Sequence, residues 1–300
     1  MDDPLDRVSP NGLVCRDCWL DLSQGAVVMG ILNITPDSFY DGGQYETVSQ
    51  ALTHAEAMVS EGARIIDVGG ASSRPRGAVY GAGATPVPED VEIQRIVPVI
   101  EAIHDALPDT IISVDTFHPV VAKAALDAGA HMINDISGLT HGTRSAEYTA
   151  QVNAAYVVMH SVANQSHLVH TSDYTDVVTQ VYQMLAASSK RAKDAGVQSV
   201  VIDPGFGFGK QHRDNLKLIH QLNRFAALSY PILVGISRKS TVGMVLSHDD
   251  QPAPMSDRLY GSLGMAAVAI IQGAHLIRTH DVRATVEMIR GMEAILECGE

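Results

Sequence analysis

Several protein classes are excluded by what this sequence holds little of. It has only three cysteines, Cys15, Cys18 and Cys298, too few and too scattered for a disulfide framework, so reduced thiols and a cytoplasmic setting are expected. Cys15 and Cys18 form a C-x-x-C, but no second pair accompanies it and no thioredoxin-like βαβ pattern surrounds it; neither zinc nor redox chemistry is expected there. No stretch approaches 18 uncharged apolar residues, and the first residues carry Asp2 and Asp3 instead of a basic patch ahead of an apolar run. A membrane span and an export signal are therefore not expected. Positive charge is scarce, 21 Lys and Arg against 34 Asp and Glu for a net charge of −13, and the basic residues do not cluster. A nucleic-acid backbone is excluded as a partner on that ground. An anionic ligand would need arginine, lysine or a metal ion concentrated at its own site.

What is present is apolar material and glycine. Hydrophobic residues make up 46% of the chain, and the 25 glycines suit many tight connections. After an N-terminal extension, residues 1–25, eight short apolar runs begin at Ala26, Ala63, Thr110, Ala130, Ala154, Ser199, Pro231 and Ala274. They alternate with amphipathic segments: Val48–Glu61, Glu89–Ala106, Pro119–Ala128, Tyr174–Ala195, Asp214–Ala227, Asp257–Gln272 and Val282–Leu296. Gly62, Gly129, Gly196 and Gly273 each precede a strand, where a left-handed helix cap belongs. The repeat gives an α/β class, a single-domain (β/α)₈ TIM barrel over residues 26–300, although eight strands alone also fit an open doubly wound sheet.

Seven of the runs end in a polar residue where the strand leaves the barrel: Asn33, Asp115, Asn134, His160, Asp203, Ser237 and Arg278. Any one of these could be a satisfied core group or a helix cap; seven at one level mark an active site, because that end of a barrel carries it. Asp115, Asn134 and Asp203 suit a flat heterocycle with an amino-amide edge, such as a guanine or pterin, while two carboxylates also suit a general acid and base. Arg278, His280, Lys239 and Arg74 suit a phosphate or diphosphate. DPGFGFGK, from Asp203 to Lys210, lacks the spacing of a phosphate loop; its glycines let backbone approach a ligand, with Phe206 and Phe208 as apolar walls. NITPDSFYDGG, from Asn33, has Pro36, Gly42 and Gly43 as turn points and suits either a lid or a plain surface turn bearing Asp37, Phe39 and Tyr40, and a Gly/Ala/Pro-rich loop runs from Arg76 to Pro88.

MGILNITPDSF, IIDVGG followed by SSRP, ISVDT, INDIS, DPGFGFGK, GISRKS and RTHD together give a sequence that resembles the dihydropteroate synthases from about Val27 onward. The resemblance implies condensation of 6-hydroxymethyl-7,8-dihydropterin diphosphate with 4-aminobenzoate, releasing pyrophosphate, with Mg²⁺ as cofactor and a homodimer, in an enzyme class that is a sulfonamide target. It implies a pterin pocket of Asp115, Asn134, Asp203 and Lys239 with Ile136, Met159 and Phe208 packing. It places the diphosphate at Asn33 through Mg²⁺ and at Ser73, Arg278 and His280, and the aminobenzoate at Ser237, Arg74, Pro75 and the loop bearing Asp37 and Phe39. Asp203, Lys239, Arg278 and Asp37 would carry the chemistry. The sequence departs from the family where a Glu usually precedes the Ser/Thr of the Arg-Pro loop: Ala71 stands there, followed by Ser72 and Ser73, with Arg76 and residues 79–86 lengthening the loop. A methyltetrahydrofolate-dependent methyltransferase of a corrinoid protein and an inactive pterin-binding paralogue are the alternatives.

Overall fold

The computed structural model describes residues 12–34, 44–71, 87–161, 163–164, 167–168, 174–249 and 251–298, without the side chains of 44–47, 163–164 and 167–168. Its strands are β1 (Gly12–Cys15), β2 (Cys18–Asp21), β3 (Val27–Asn33), β4 (Ile65–Gly69), β5 (Ile111–Asp115), β6 (Met132–Asp135), β7 (Ala155–Met159), β8 (Ala163–Asn164), β9 (His167–Leu168), β10 (Ser199–Asp203), β11 (Leu233–Val234) and β12 (Leu276–Thr279). Its α-helices are α1 (Gln44–Ser60), α2 (Glu89–Ala106), α3 (Pro119–Asp127), α4 (Arg144–Gln151), α5 (Val177–Asp194), α6 (His212–His220), α7 (Ser240–Val245), α8 (Leu259–Ile271) and α9 (Val282–Glu297).

All eight apolar runs are parallel strands of one sheet, in the spatial order β10-β7-β6-β5-β4-β3-β12-β11. The ring closes where Ile202 of β10 bridges Ile232 beside β11, with the Ile202 N–H donating to the Pro231 carbonyl at 2.9 Å. That closure selects the barrel over the open sheet. The four glycines expected at helix ends do take positive φ, between 99° and 111°. Asp214–Ala227 is not one helix: α6 stops at His220, and a 3₁₀ segment, Leu222–Leu228, follows. Asp257 likewise lies in a 3₁₀ turn ahead of α8, and α4 and α7 are short helices that the reading of amphipathic segments omits. At 8 and 6 residues they are too short to establish a clear period.

Side chains alternate in and out along each strand, which divides the core in two. Outward residues such as Ile66, Val68, Ile112, Val114, Ile133, Ile202, Val234 and Ile277 pack under the helices. Inward residues at the lower level are apolar: Met29, Ile65, Ile111, Met132, Ala155, Val201, Leu233 and Leu276. The antiparallel β1–β2 hairpin sets Leu13, Cys15, Leu20 and Leu22 against this inner layer and plugs the barrel floor. Among the described residues, no helix is long and apolar enough to cross a membrane.

Candidate active site

Moving two residues up each strand keeps the side chain pointing inward, so the apolar floor passes into a polar rim by parity alone. Ile65 is followed inward by Asp67, Ile111 by Ser113 and Asp115, Met132 by Asn134, Val201 by Asp203, Leu233 by Gly235 and Ser237, and Leu276 by Arg278. Asp115, Asn134, Asp203 and Ser237 are buried, Arg278 half-buried, and Asn33 and His280 exposed at the mouth. The expected rim residues on described elements are thus brought to one end of the barrel. The expectations on Asp37, Phe39, Tyr40, Ser73, Arg74, Pro75 and Arg76 lie outside the described residues.

The centre of the rim is a residue that the sequence reading missed. Asp67, fully buried, accepts Ser113 Oγ–H at 2.6 Å, Asn134 Nδ2–H at 3.2 Å and Arg278 Nε–H at 2.6 Å. Arg278 also donates to Asp115 at 3.0 Å, so one guanidinium bridges two carboxylates. The signal was present: an acid inside the otherwise apolar IIDVGG, on the same inward face as Ile65 and Gly69. Burial, opposed by Arg278 and reinforced by Asp67, raises the Asp115 carboxyl above its ordinary range. Asn134 spends its amide N–H₂ on Asp67, and its Oδ1 is buried without a partner.

Across the barrel, burial also raises Asp203, while Lys239 and the Gly205 N–H, which donates to it at 2.7 Å, oppose that. Lys239 donates to the Phe206 carbonyl and lies 4.4 Å from the centre of the Phe208 ring. Burial brings its pKa down to about 8, so it is charged at neutral pH. Its neighbour Arg238 turns the other way, at φ 56°, into a paired contact with Asp281, which leaves Lys239 at the mouth. The glycine-rich loop is pinned from below: Lys210, buried, donates to the carbonyls of Gly205 at 2.8 Å and Phe208 at 2.9 Å. Gly205 sits at φ 70° with its α-carbon against the His160 carbonyl, an approach that no side chain would permit.

One expectation is corrected. Phe206 is not a wall of the site; its ring is fully buried in the outer core, and only its carbonyl serves the site. Phe208 is half-buried beside Lys239 at the rim, and Ile136 and Met159 are buried at the ends of β6 and β7. At the mouth, burial of its inner side and then Arg278 push the His280 imidazole down to about 4, and its Nδ1 pairs with Ser237 Oγ at 3.0 Å. His160 is buried with Nδ1 unpartnered, and burial followed by Lys210 brings it to about 2, so it too is neutral.

Among the described residues, one cluster of metal-type donors lies elsewhere, at the barrel floor: Asp17, Cys18 and His131. The Ile112 N–H donates to His131 Nδ1 at 3.1 Å, which places the imidazole proton on Nε2, facing Asp17 at 3.4 Å. This tautomer offers no lone pair to a metal and instead ties the hairpin turn to the barrel.

The pterin binding enzyme family matches residues 29–280. The dihydropteroate synthase of Escherichia coli (strain K12) is 42% identical over 290 residues, covering 96% of this chain and 98% of its own. The chain belongs to the dihydropteroate synthase family. Among solved members of that family, the Xanthomonas albilineans enzyme with 4-aminobenzoic acid superposes with a TM-score of 0.84 at 38% identity, covering 95% of this chain and 98% of that one. The same enzyme in complex with 7,8-dihydropteroate gives 0.81 at 36% identity, with the same coverage. In a family that condenses two small molecules, one mouth must hold both, and the rim offers two chemically distinct halves: the carboxylate and amide set around Asp115, and the cationic edge of Arg278 and Lys239.

Proposed function

We propose that this protein condenses 6-hydroxymethyl-7,8-dihydropterin diphosphate with 4-aminobenzoate, giving 7,8-dihydropteroate and pyrophosphate. The observation that carries the reading is the unpartnered, buried Asn134 Oδ1 beside the Asp115 carboxylate. A pterin edge supplies the N–H donor that Asn134 Oδ1 lacks and a further one to Asp115 beside its bond from Arg278, and burial makes leaving the amide oxygen unmet costly. Lys239 and Asp203 address the far side of the ring, with Phe208, Met159 and Ile136 as its packing. The 4-aminobenzoate falls to Ser237 and, on the resemblance, to Phe39, Arg74 and Pro75; the diphosphate falls to Arg278, His280, Asn33 and Ser73.

Departure of diphosphate leaves a cation on the pterin methylene, delocalised into the ring. Asp203, as a carboxylate held by the Gly205 N–H, stabilises that cation more than the neutral ground state. Arg278 meets the negative charge that grows on the leaving oxygen, already oriented by Asp67 and Asp115. His280, being neutral, contributes a hydrogen bond, not a charge. The aromatic amine attacks as a neutral nucleophile, so positioning it and excluding water are the remaining tasks, to which the loop bearing Asp37 is assigned. Mg²⁺ fits at Asn33, whose side chain is exposed at the rim beside Gly69: one protein oxygen plus phosphate oxygens and water suits this ion. Bound there, it would offset diphosphate charge.

Pyrophosphate release that needs the pterin diphosphate, 4-aminobenzoate and Mg²⁺ together tests the reading. A corrinoid methyltransferase or an inactive paralogue would release none. Free cysteines support a cytoplasmic enzyme. The large exposed apolar side chains of α8 and α9, Tyr260, Ile271 and Ile295 among them, support a homodimer, which sedimentation would test. Mimicry of 4-aminobenzoate makes sulfonamides the expected inhibitors.

A further inference from the structure

The glycine-rich loop between β10 and α6 is joined to the start of α7, below the mouth, by one buried amide. The buried positions of α6 are Asn215, Leu218 and Ile219, an apolar stripe whose first place is held by a polar side chain. Asn215 is fully buried, a placement that costs free energy unless both ends of its amide find partners. Both do. Its Oδ1 accepts the Gly207 N–H at 2.8 Å, and its Nδ2–H donates to Thr241 Oγ1 at 3.0 Å. Thr241 is fully buried too, and its Oγ1 lies 3.0 Å from His212 Nδ1, which takes the hydroxyl proton when the imidazole proton is on Nε2. The two ends of this link bear the pocket. Gly207 stands between Phe206, whose carbonyl accepts from the Lys239 ammonium, and Phe208, whose ring centre lies 4.4 Å from it, and Thr241 is two residues after Lys239. The loop has positive φ at Gly205, Gly207 and Gly209, 70°, 82° and 61°, where glycine has little preference of its own, so its position is set by what holds it from outside. Lys210 gathers the carbonyls of Gly205 and Phe208 and reaches that of His160 at 3.4 Å, on the β7 side. Toward α7 the loop is held at the mouth by Lys239 itself and beneath it by Asn215.

We propose that Asn215 is a positioning residue for pterin binding: bonded to Gly207 and Thr241 at once, it sets the spacing between the Phe208 ring and Lys239, which the pterin meets together. This rests on the pterin reading of the rim. The upper link, from Lys239 to the Phe206 carbonyl, is given up when the ammonium turns to a ligand. The amide lies buried beneath the ligand's reach and keeps the two loops in register throughout.

The test measures binding of 6-hydroxymethyl-7,8-dihydropterin diphosphate with Mg²⁺ by calorimetry, well below each variant's melting temperature, with kcat and KM beside it. Thr241→Val keeps the shape of the side chain and removes the hydroxyl; the affinity falls about tenfold, the worth of one buried hydrogen bond, while kcat stays within about twofold of the unmodified protein. Thr241→Ser, which keeps the hydroxyl, restores the affinity. Asn215→Leu suits the apolar stripe but not the loop and loses at least as much as Thr241→Val, and the double variant loses no more than Asn215→Leu alone. Because the link acts through the spacing of Phe208 and Lys239, Thr241→Val costs little further affinity in a Phe208→Ala background, whereas a purely structural defect would add to it in full. Unchanged affinity in Thr241→Val, an equal loss in Thr241→Ser, or full additivity with Phe208→Ala would overturn the proposal. If Asn215→Leu does not fold, the Thr241 variants and the Phe208→Ala background still decide it. Unmodified protein that binds no pterin diphosphate would overturn the functional reading itself, and the proposal with it.

Discussion

Replacing Asp67 by asparagine is the sharpest probe of how the rim is built. Asp67 is fully buried, and Arg278, its partner at 2.6 Å, is 17% exposed, so solvent screens the pair only weakly. At about 4 Å between charge centres and an effective dielectric of about 20, their attraction is about 4 kcal/mol. Removing one member of a buried pair costs about 3 to 5 kcal/mol, and Arg278 keeps Asp115, which places the loss near the lower figure, about 3 kcal/mol. For a chain of this size, that is a fall in melting temperature of roughly 6 °C. A second effect has a definite sign. Asp67 raises Asp115 and Arg278 lowers it, so removing the Asp67 charge lets Arg278 hold Asp115 ionised to lower pH. The acid limb of pterin affinity then moves down in pH although the protein is less stable. Thermal unfolding followed by circular dichroism, and affinity measured between pH 5 and 8, would read both. A melting temperature within about 1 °C of the unmodified protein, or an acid limb that moves up, refutes this account of the ion cluster.

The other predictions concern single groups. Asp203→Asn keeps the shape but loses the charge under the developing cation, and should cost about 3 kcal/mol in kcat/KM, roughly a hundredfold, with little change in melting temperature; equal turnover would remove Asp203 from the chemistry. Lys239 should limit the alkaline side: pterin affinity declines as pH rises through about 8, where its ammonium loses the proton. Because its folded value lies below the unfolded one, the same rise in pH stabilises the fold through this group, so affinity and stability should part company above pH 8. His280→Asn should leave the pH profile between 5 and 7 unaltered, since the imidazole is already neutral there; a lost inflection in kcat/KM would contradict that. Phe206→Ala should cost about 3 to 5 kcal/mol in urea unfolding, as for a buried aromatic, while Phe208→Ala should cost clearly less stability and weaken the pterin KM.

The strands were legible because parallel strands covered on both faces must be continuously apolar, and a polar residue ending such a run has few reasons to be there. Asn33, Asp115, Asn134, Asp203 and Arg278 were found by that contrast. Asp67 was not, because it stands inside its run and its importance lies in partners 46, 67 and 211 positions away. Phe206 and Phe208 are two residues apart in a glycine loop, and nothing local says which ring enters the core.

The sequence by itself determined the eight-fold alternation, the left-handed glycines ahead of the strands and the set of residues able to face a pterin and a diphosphate, since these follow from local period, backbone freedom and side-chain chemistry. Only the tertiary structure decided that the sheet closes at Ile202 and Ile232, that Arg278 is shared between two carboxylates and that Phe206 turns into the core. Charge state and hydrogen-bond partnership depend on burial and on groups distant in the chain, and those distances exist only once the barrel is closed.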